Sequence, residues 1–161
     1  MKNKIRNRAL GVLAAMAAIA LPFSAEARAV TVTTVLKKYS GDGAYVVVYI
    51  TDGQGRVHST LRLAGPKAKY HKHLSNWSRA AGATRRPLDG VTGASVGSGQ
   101  ILKVSVDLAD SLIDAGYQIR VDTAVENQRD VPSDVVVPLS KEVSGRSHPG
   151  TGYVQSLRVD L

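Results

Sequence analysis

The chain has 161 residues, and 21 lysines and arginines against 13 aspartates and glutamates give it a formal charge of +8. This length suits one domain, and 43% hydrophobic with 21% charged residues is not the composition of a disordered chain. The absence of cysteine excludes a disulfide scaffold, a thiol catalyst, a cysteine zinc site and an iron–sulfur cluster.

The amino terminus has the three-part pattern of a secretory signal peptide. Basic residues precede an apolar run over 9–23, and residues 25–27 read A-E-A, which fits an A-x-A cleavage site. The run is shorter than the ~20 apolar residues that a membrane-spanning helix needs. We therefore predict a cleaved signal peptide over 1–27, with Ala29 as an alternative cleavage position. The remainder, 28–161, is predicted to be a single exported, periplasmic domain that does not span the membrane.

Much of the positive charge belongs to this leader, which contains Lys2, Lys4, Arg6 and Arg8. The other charges are dispersed, apart from the lysines within 67–72 and the pair Arg85-Arg86. A nucleic-acid-binding surface usually has a basic stripe with interleaved aromatic residues. We therefore expect no nucleic-acid partner.

Most of the chain after the leader has the pattern of β-strands. β-branched and aromatic residues are enriched, the turn signal Asp52-Gly53 separates two such runs, and apolar residues alternate with polar ones in others. Seven segments have this pattern: 30–36, 44–51, 57–63, 102–107, 117–125, 135–139 and 153–161. Seven short strands predict an all-β fold, an immunoglobulin-like two-sheet sandwich.

One segment, 66–81, has helical rather than strand periodicity. Its apolar residues Tyr70, Leu74, Trp77 and Ala81 recur at helical spacing after a proline that suits a first helical turn. We predict one short helix over the sandwich.

The histidines of this segment do not indicate a metal site. His71 and His73 are two residues apart, so on a helix they point to different sides and are predicted to be exposed. No HExxH or G-x-S-x-G motif is present either. The sequence therefore predicts no metal centre and no catalytic constellation.

The glycine-rich segment 89–95 reads DGVTGAS and lacks the spacing of a nucleotide-binding loop. It resembles D-x-x-[S/T]-G-A-[T/S], the motif on which exported flavoproteins receive FMN from an FAD:protein FMN transferase. The resemblance implies that Ser95 is the acceptor, within a motif formed by Asp89, Thr92, Gly93 and Ala94. The acceptor position is more often threonine. Small neighbours suit a flexible, uncrowded loop that enters another enzyme's active site.

If FMN is attached at Ser95, two sets of nearby residues become candidate contacts. Arg85 and Arg86 would hold the phosphate or the anionic reduced ring, and Trp77 or Tyr70 would stack on the flavin. For the two aromatic residues, the apolar stripe also predicts a place in the core.

The wider pattern is similar to a family of predicted periplasmic proteins, the domain of unknown function twenty-two seventy-one. The resemblance covers 45–55, 69–77, 89–95, 116–126 and 152–161. It implies an all-β, immunoglobulin-like domain that is encoded beside PepSY-type membrane proteins and flavin transferases. The family usually has W-x-G-x-D-x-x-G after the motif, whereas 106–110 here reads VDLAD, so this hairpin is expected to differ.

Three functions follow from these patterns. The first is an extracytoplasmic electron-transfer protein with covalent FMN on Ser95, served by the transferase and a PepSY-type redox partner. The second is an unmodified periplasmic binding module without a redox role. The third, a hydrolytic enzyme, has the least support because no acid–base or nucleophile constellation was found.

Overall fold

The structure, a computed structural model, describes residues 26–82 and 92–161 as two β-sheets packed face to face. One sheet has the strand order β5-β1-β9-β8 and the other has β4-β3-β2-β6-β7. The strands are β1 Ala27–Leu36, β2 Tyr45–Thr51, β3 Val57–Ala64, β4 Thr92–Gly93, β5 Ile101–Ala109, β6 Gln118–Ala124, β7 Asp130–Pro138, β8 Ser147–Pro149 and β9 Val154–Asp160. Neighbouring strands are antiparallel except β3 and β4. The predicted two-sheet β-sandwich with one short helix is confirmed.

All seven predicted strands form, with shifted ends. Sequence reasoning missed β4 and β8, which have two and three residues and are too short to show an alternating pattern.

The main core lies between the two sheets. In β1, Val30 and Val32 point into it and alternate with residues that are only half-buried. In β2 all seven residues are buried, because Val46 and Val48 face the other sheet while Tyr45 and its alternate neighbours face a second apolar cluster on the outer side. A strand covered on both faces has a continuous apolar run rather than alternation.

The predicted helix over 66–81 is two shorter elements that cover the outer face of the five-stranded sheet. A 3₁₀ helix spans Ala68–His73, and α1 spans Ser75–Ala81. The one predicted α-helix is α1, but its predicted extent was wrong, because Leu74, fully buried in the outer cluster, has φ −78° and ψ 69° and so separates the two elements. Within the part of the chain that the structure describes, no helix is long and apolar enough to cross a bilayer.

A buried carboxylate, Asp122, joins this helical layer to the sheet beneath it. Asp122 is 0% exposed, although it belongs to the polar face of β6, whose residues alternate along the strand with apolar residues that face the main core. Its Oδ2 accepts a hydrogen bond from the Trp77 backbone N–H at 2.8 Å. Its Oδ1 accepts from the Tyr49 hydroxyl at 3.0 Å and from the Ser133 N–H at 2.8 Å. The polar face of β6 therefore serves as the seat of α1.

Candidate functional site

The described part of the DGVTGAS segment begins at the edge of the five-stranded sheet. Thr92–Gly93 forms β4, which runs parallel to the end of β3. The Gly65 N–H donates to the Gly93 carbonyl oxygen at 2.8 Å, which extends this pairing beyond the strands. The other predicted site residues Asp89, Arg85 and Arg86 lie outside the described residues.

Ser95 lies between this edge strand and a second point of attachment. Ala44 and Val96 form an antiparallel bridge in which each N–H donates to the other's carbonyl, at 2.7 and 2.9 Å. The described residues 92–96 are therefore tied to the sheet on both sides of Ser95. Thr92 and Ala94 are exposed, and Ser95 is half-buried.

The Ser95 hydroxyl lies against a residue that has no side chain. A Cβ added to Gly43 would lie 2.5 Å from Ser95 Oγ and 3.0 Å from Ser95 Cβ. Real Cβ atoms essentially never approach this closely, so glycine at this position leaves room for the hydroxyl. The sequence offered no sign of this contact, because 52 positions separate the two residues.

We expect Gly43→Ala to displace Ser95 and to reduce any modification of its hydroxyl. Overpacking of this kind typically costs 1–3 kcal/mol, about 2 kcal/mol here, measured as the free energy of urea unfolding. Gly53→Ala is the matched control, because its Cβ would meet only the Gly116 carbonyl oxygen, at 3.7 Å. Equal unfolding free energies for the two variants would contradict the crowding of Ser95.

A cleft of about 230 Å³ opens on the outer side of the five-stranded sheet, where β2 begins and β6 ends. Aromatic, acidic and amide side chains line it. Among the lining residues are Tyr45, Tyr70, His73, Glu126, Asn127 and Asp130.

The aromatic wall of the cleft is formed by two tyrosines. The rings of Tyr45 and Tyr70 have centroids 5.4 Å apart and are tilted by 50°. Tyr45 is 3% exposed, whereas Tyr70 is half-buried and presents part of its ring to the cleft. Trp77 is 1% exposed and belongs to the outer core, so of the two predicted stacking residues only Tyr70 has an accessible ring.

An ion pair fixes the charge at one rim of the cleft. Glu126 accepts hydrogen bonds from the Lys67 ammonium at 3.1 Å and from the Tyr45 hydroxyl at 3.2 Å. The Lys67 hydrogen bond holds the pKa of Glu126 below its usual value, and Glu126 in turn raises the pKa of Lys67. Burial, aided by Glu126, raises the pKa of Tyr45, so that its hydroxyl remains a donor.

The two histidines have separate structural roles. His71 is 8% exposed, and its Nε2 lies 2.8 Å from the Gly65 carbonyl oxygen. The prediction that His71 is exposed was wrong, because its side of the 3₁₀ helix packs onto the end of β3. His73 Nδ1 lies 3.0 Å from Asp130 Oδ2 at the rim of the cleft. No group of three metal-ligating side chains occurs among the described residues.

Sequence reasoning missed a cation beneath the motif, Arg62 on β3. A Cβ on Gly93 would collide with Arg62 Nη2, so the guanidinium lies directly against this motif glycine. Arg62 is half-buried, and its Nε is enclosed without a hydrogen-bond partner among residues 26–82 and 92–161. An arginine within a strand carries no local signal of such a position, because only the parallel pairing of β3 with β4 creates it.

Comparison with known proteins identifies the family. No curated protein and no solved structure matches the chain. The profile of one family, described as predicted periplasmic protein (DUF2271), matches residues 27–156. This range contains both the Ser95 segment and the cleft, and the match confirms the predicted resemblance to this family. The chain therefore belongs to the DUF2271 family of predicted periplasmic proteins.

Proposed function

We propose that this protein is an extracytoplasmic electron-transfer protein that carries FMN covalently on Ser95. The position of Ser95 supports the proposal: the residue is half-buried, the preceding residues Thr92 and Ala94 are exposed, and its hydroxyl lies against Gly43, which has no side chain to crowd it. An acceptor held in this way is accessible to a second enzyme and yet has a defined location on the domain.

The attachment reaction needs only FAD as co-reactant. In the active site of an FAD:protein FMN transferase, Ser95 Oγ attacks the phosphorus of the FMN half of FAD. An O–P bond forms, the pyrophosphate P–O bond breaks, AMP leaves and the hydroxyl proton passes to a base of the transferase. The bound flavin then supplies the redox chemistry.

The residues around Ser95 would bind and position the attached phosphate. Arg85 and Arg86 remain proposed phosphate contacts from the sequence. Arg62 is not added to them, because it pairs with Val48, whose side chain faces the main core. Its guanidinium therefore lies under Gly93 on the inner face of the sheet, whereas Ser95 points to the outer side.

The proposal includes export and a membrane partner. We propose that 1–27 is a signal peptide, and that a PepSY-type membrane protein exchanges electrons with the mature domain. β1 begins at Ala27, and the Arg28 guanidinium pairs with Asp110 at 3.2 Å. Cleavage after Ala27 keeps this ion pair, whereas cleavage after Ala29 removes Arg28.

The experiment that tests the proposal compares Ser95 variants exported with and without a co-expressed transferase. We expect transferase-dependent flavin fluorescence of the denatured polypeptide in the wild type and in Ser95→Thr, which restores the commoner acceptor. We expect a complete loss in Ser95→Ala. Thr92→Val is the matched control for a neighbouring hydroxyl, and it is expected to retain most of the flavin.

Two results would contradict the proposal. One is flavin that persists in Ser95→Ala. The other is wild-type protein without flavin while a known substrate of the same transferase is labelled, which would favour the unmodified binding module.

A further inference from the structure

We infer that the cleft beside Tyr70 is the seat of the flavin ring, so that Ser95 tethers the cofactor and a separate aromatic site binds its redox-active part. This inference rests on the proposed function and deepens it. It concerns contacts of the ring, whereas the proposed function concerns the covalent bond.

Ser95 and the cleft lie on the same side of the sheet. Ala44 and Val96, the two residues of the bridge, point into the main core. Side chains alternate along extended backbone. Ser95 precedes Val96 and Tyr45 follows Ala44, so the side chains of Ser95 and Tyr45 point to the opposite, outer side. Tyr45 belongs to the outer cluster and lines the cleft, which agrees with this assignment.

FMN attached at Ser95 is long enough for its ring to reach the cleft. Ser95 lies on one side of β2, and Ala124, which lines the cleft, pairs with Tyr45 on the other side. Neighbouring strands are separated by about 4.8 Å, so the backbones on the two sides of β2 lie about 10 Å apart. The phosphate and the five-carbon ribityl chain of FMN, when extended, span about this distance. A ring attached at Ser95 can therefore reach the cleft without any movement of the sheet.

The volume of the cleft suits a flavin ring rather than a whole FMN molecule. Pockets that bury a whole drug-sized ligand usually measure about 300–1,000 Å³. The cleft, at about 230 Å³, is too small for all of FMN but suits part of a flat ring system. A cofactor tethered from outside the cleft, with only its ring inserted, matches this volume.

The side chains around the cleft match the chemical groups of a flavin ring. Tyr70 lines the cleft with an aromatic ring, and the ammonium groups of Lys69 and Lys67 lie over this ring, 4.8 and 5.5 Å from its centroid. Lys67 is paired with Glu126, so the Lys69 ammonium is the charge that favours the negative charge a flavin gains on reduction. The cleft also presents the amide of Asn127 and the carboxylate of Glu126, which complement the hydrogen-bonding edge of an isoalloxazine. One face and the hydrogen-bonding edge of a flavin thus have suitable partners.

The test uses flavinylated protein whose single FMN has been verified by intact mass. Collisional quenching of flavin fluorescence by acrylamide, a neutral quencher, reports whether the ring is sheltered. We expect Tyr70→Leu to increase the quenching constant about three- to tenfold, as loss of one aromatic contact implies. Tyr70→Phe, which keeps the ring face, is expected to remain protected.

Tyr117→Leu is the matched control, because Tyr117 is also half-buried but precedes β6 at the end of that strand far from the cleft. If the wild type carries FMN and its ring is quenched as fast as in a proteolysed flavopeptide, the seat is wrong and the covalent attachment stands. Equal effects of Tyr70→Leu and Tyr117→Leu would also overturn the seat. Absence of the FMN mass overturns both the attachment and the seat.

Discussion

Replacement of Asp122 by alanine is expected to lower the free energy of unfolding by about 3–5 kcal/mol. The Asp122 carboxylate accepts hydrogen bonds from the Tyr49 hydroxyl and from the backbone N–H groups of Trp77 and Ser133. Alanine removes all three acceptor contacts in a site that is closed to water, and an unsatisfied buried donor costs about 1–3 kcal/mol. The loss is large because one residue serves three elements.

Urea unfolding of Asp122→Ala and of Asp107→Ala measures this effect. Asp107 is exposed on β5, so its replacement should change stability by less than about 0.5 kcal/mol. Asp122→Asn should fall between the wild type and Asp122→Ala, because an amide keeps one acceptor oxygen. A loss in Asp122→Ala no greater than in Asp107→Ala would show that the carboxylate does not hold the helical layer.

Asp122 also connects stability with the candidate site. The layer that it fastens through Trp77 contains Leu74, which follows directly on the 3₁₀ helix that carries Tyr70 and His73. A weakened Asp122 contact should therefore loosen one wall of the cleft before it affects the main core between the sheets.

The second large effect is expected for Asp134→Ala, which removes a buried carboxylate that joins the two sheets. Asp134 is 1% exposed on β7. Its Oδ2 accepts from the Thr123 hydroxyl at 2.7 Å and from the Val154 N–H, on β9 of the other sheet, at 2.9 Å. Its Oδ1 accepts from the Gly152 N–H at 2.6 Å. We expect a loss of about 3–5 kcal/mol, or a Tm lower by about 10–20 °C.

Thermal unfolding followed by circular dichroism checks this value, with Asp160→Ala as the control. Asp160 lies on β9 and pairs with Arg158 at 2.7 Å, but both side chains are exposed, and such pairs contribute about 0–1 kcal/mol. If the two variants melt at the same temperature, Asp134 is not the link between the sheets that its contacts indicate.

The strands and the helical stripe could be predicted because their signals are local. Val30 and Val32 alternate with polar residues, and Leu74, Trp77 and Ala81 recur at helical spacing, so one face of each element had to be buried. The break at Leu74 could not be predicted, because its backbone conformation depends on fitting that side chain into the outer cluster rather than on local propensity.

The buried carboxylates were beyond sequence reasoning for a related reason. In β6, Asp122 alternates with apolar residues and has the pattern of a solvent-exposed position. Only the placement of α1 over that face, 45 positions away in the sequence at Trp77, buries it. The cause is tertiary, and no local pattern contains it.

The candidate site could likewise be predicted only in part. Ser95 was proposed from a motif of adjacent residues, Thr92, Gly93 and Ala94 among them, so this proposal needs no tertiary information. The cleft was not foreseen, because Tyr45, Tyr70 and Glu126 come from three distant segments that meet only in the folded sheet. Arg62 escaped notice because its position under Gly93 depends on the short parallel pairing of β3 with β4.

Tandem mass spectrometry of the exported protein, purified from cells with an active FAD:protein FMN transferase, shows whether Ser95 carries FMN. We predict one FMN per chain, attached through a phosphoester at Ser95. An adduct on another residue, or an unmodified Ser95 peptide beside a fully modified control substrate, would contradict it.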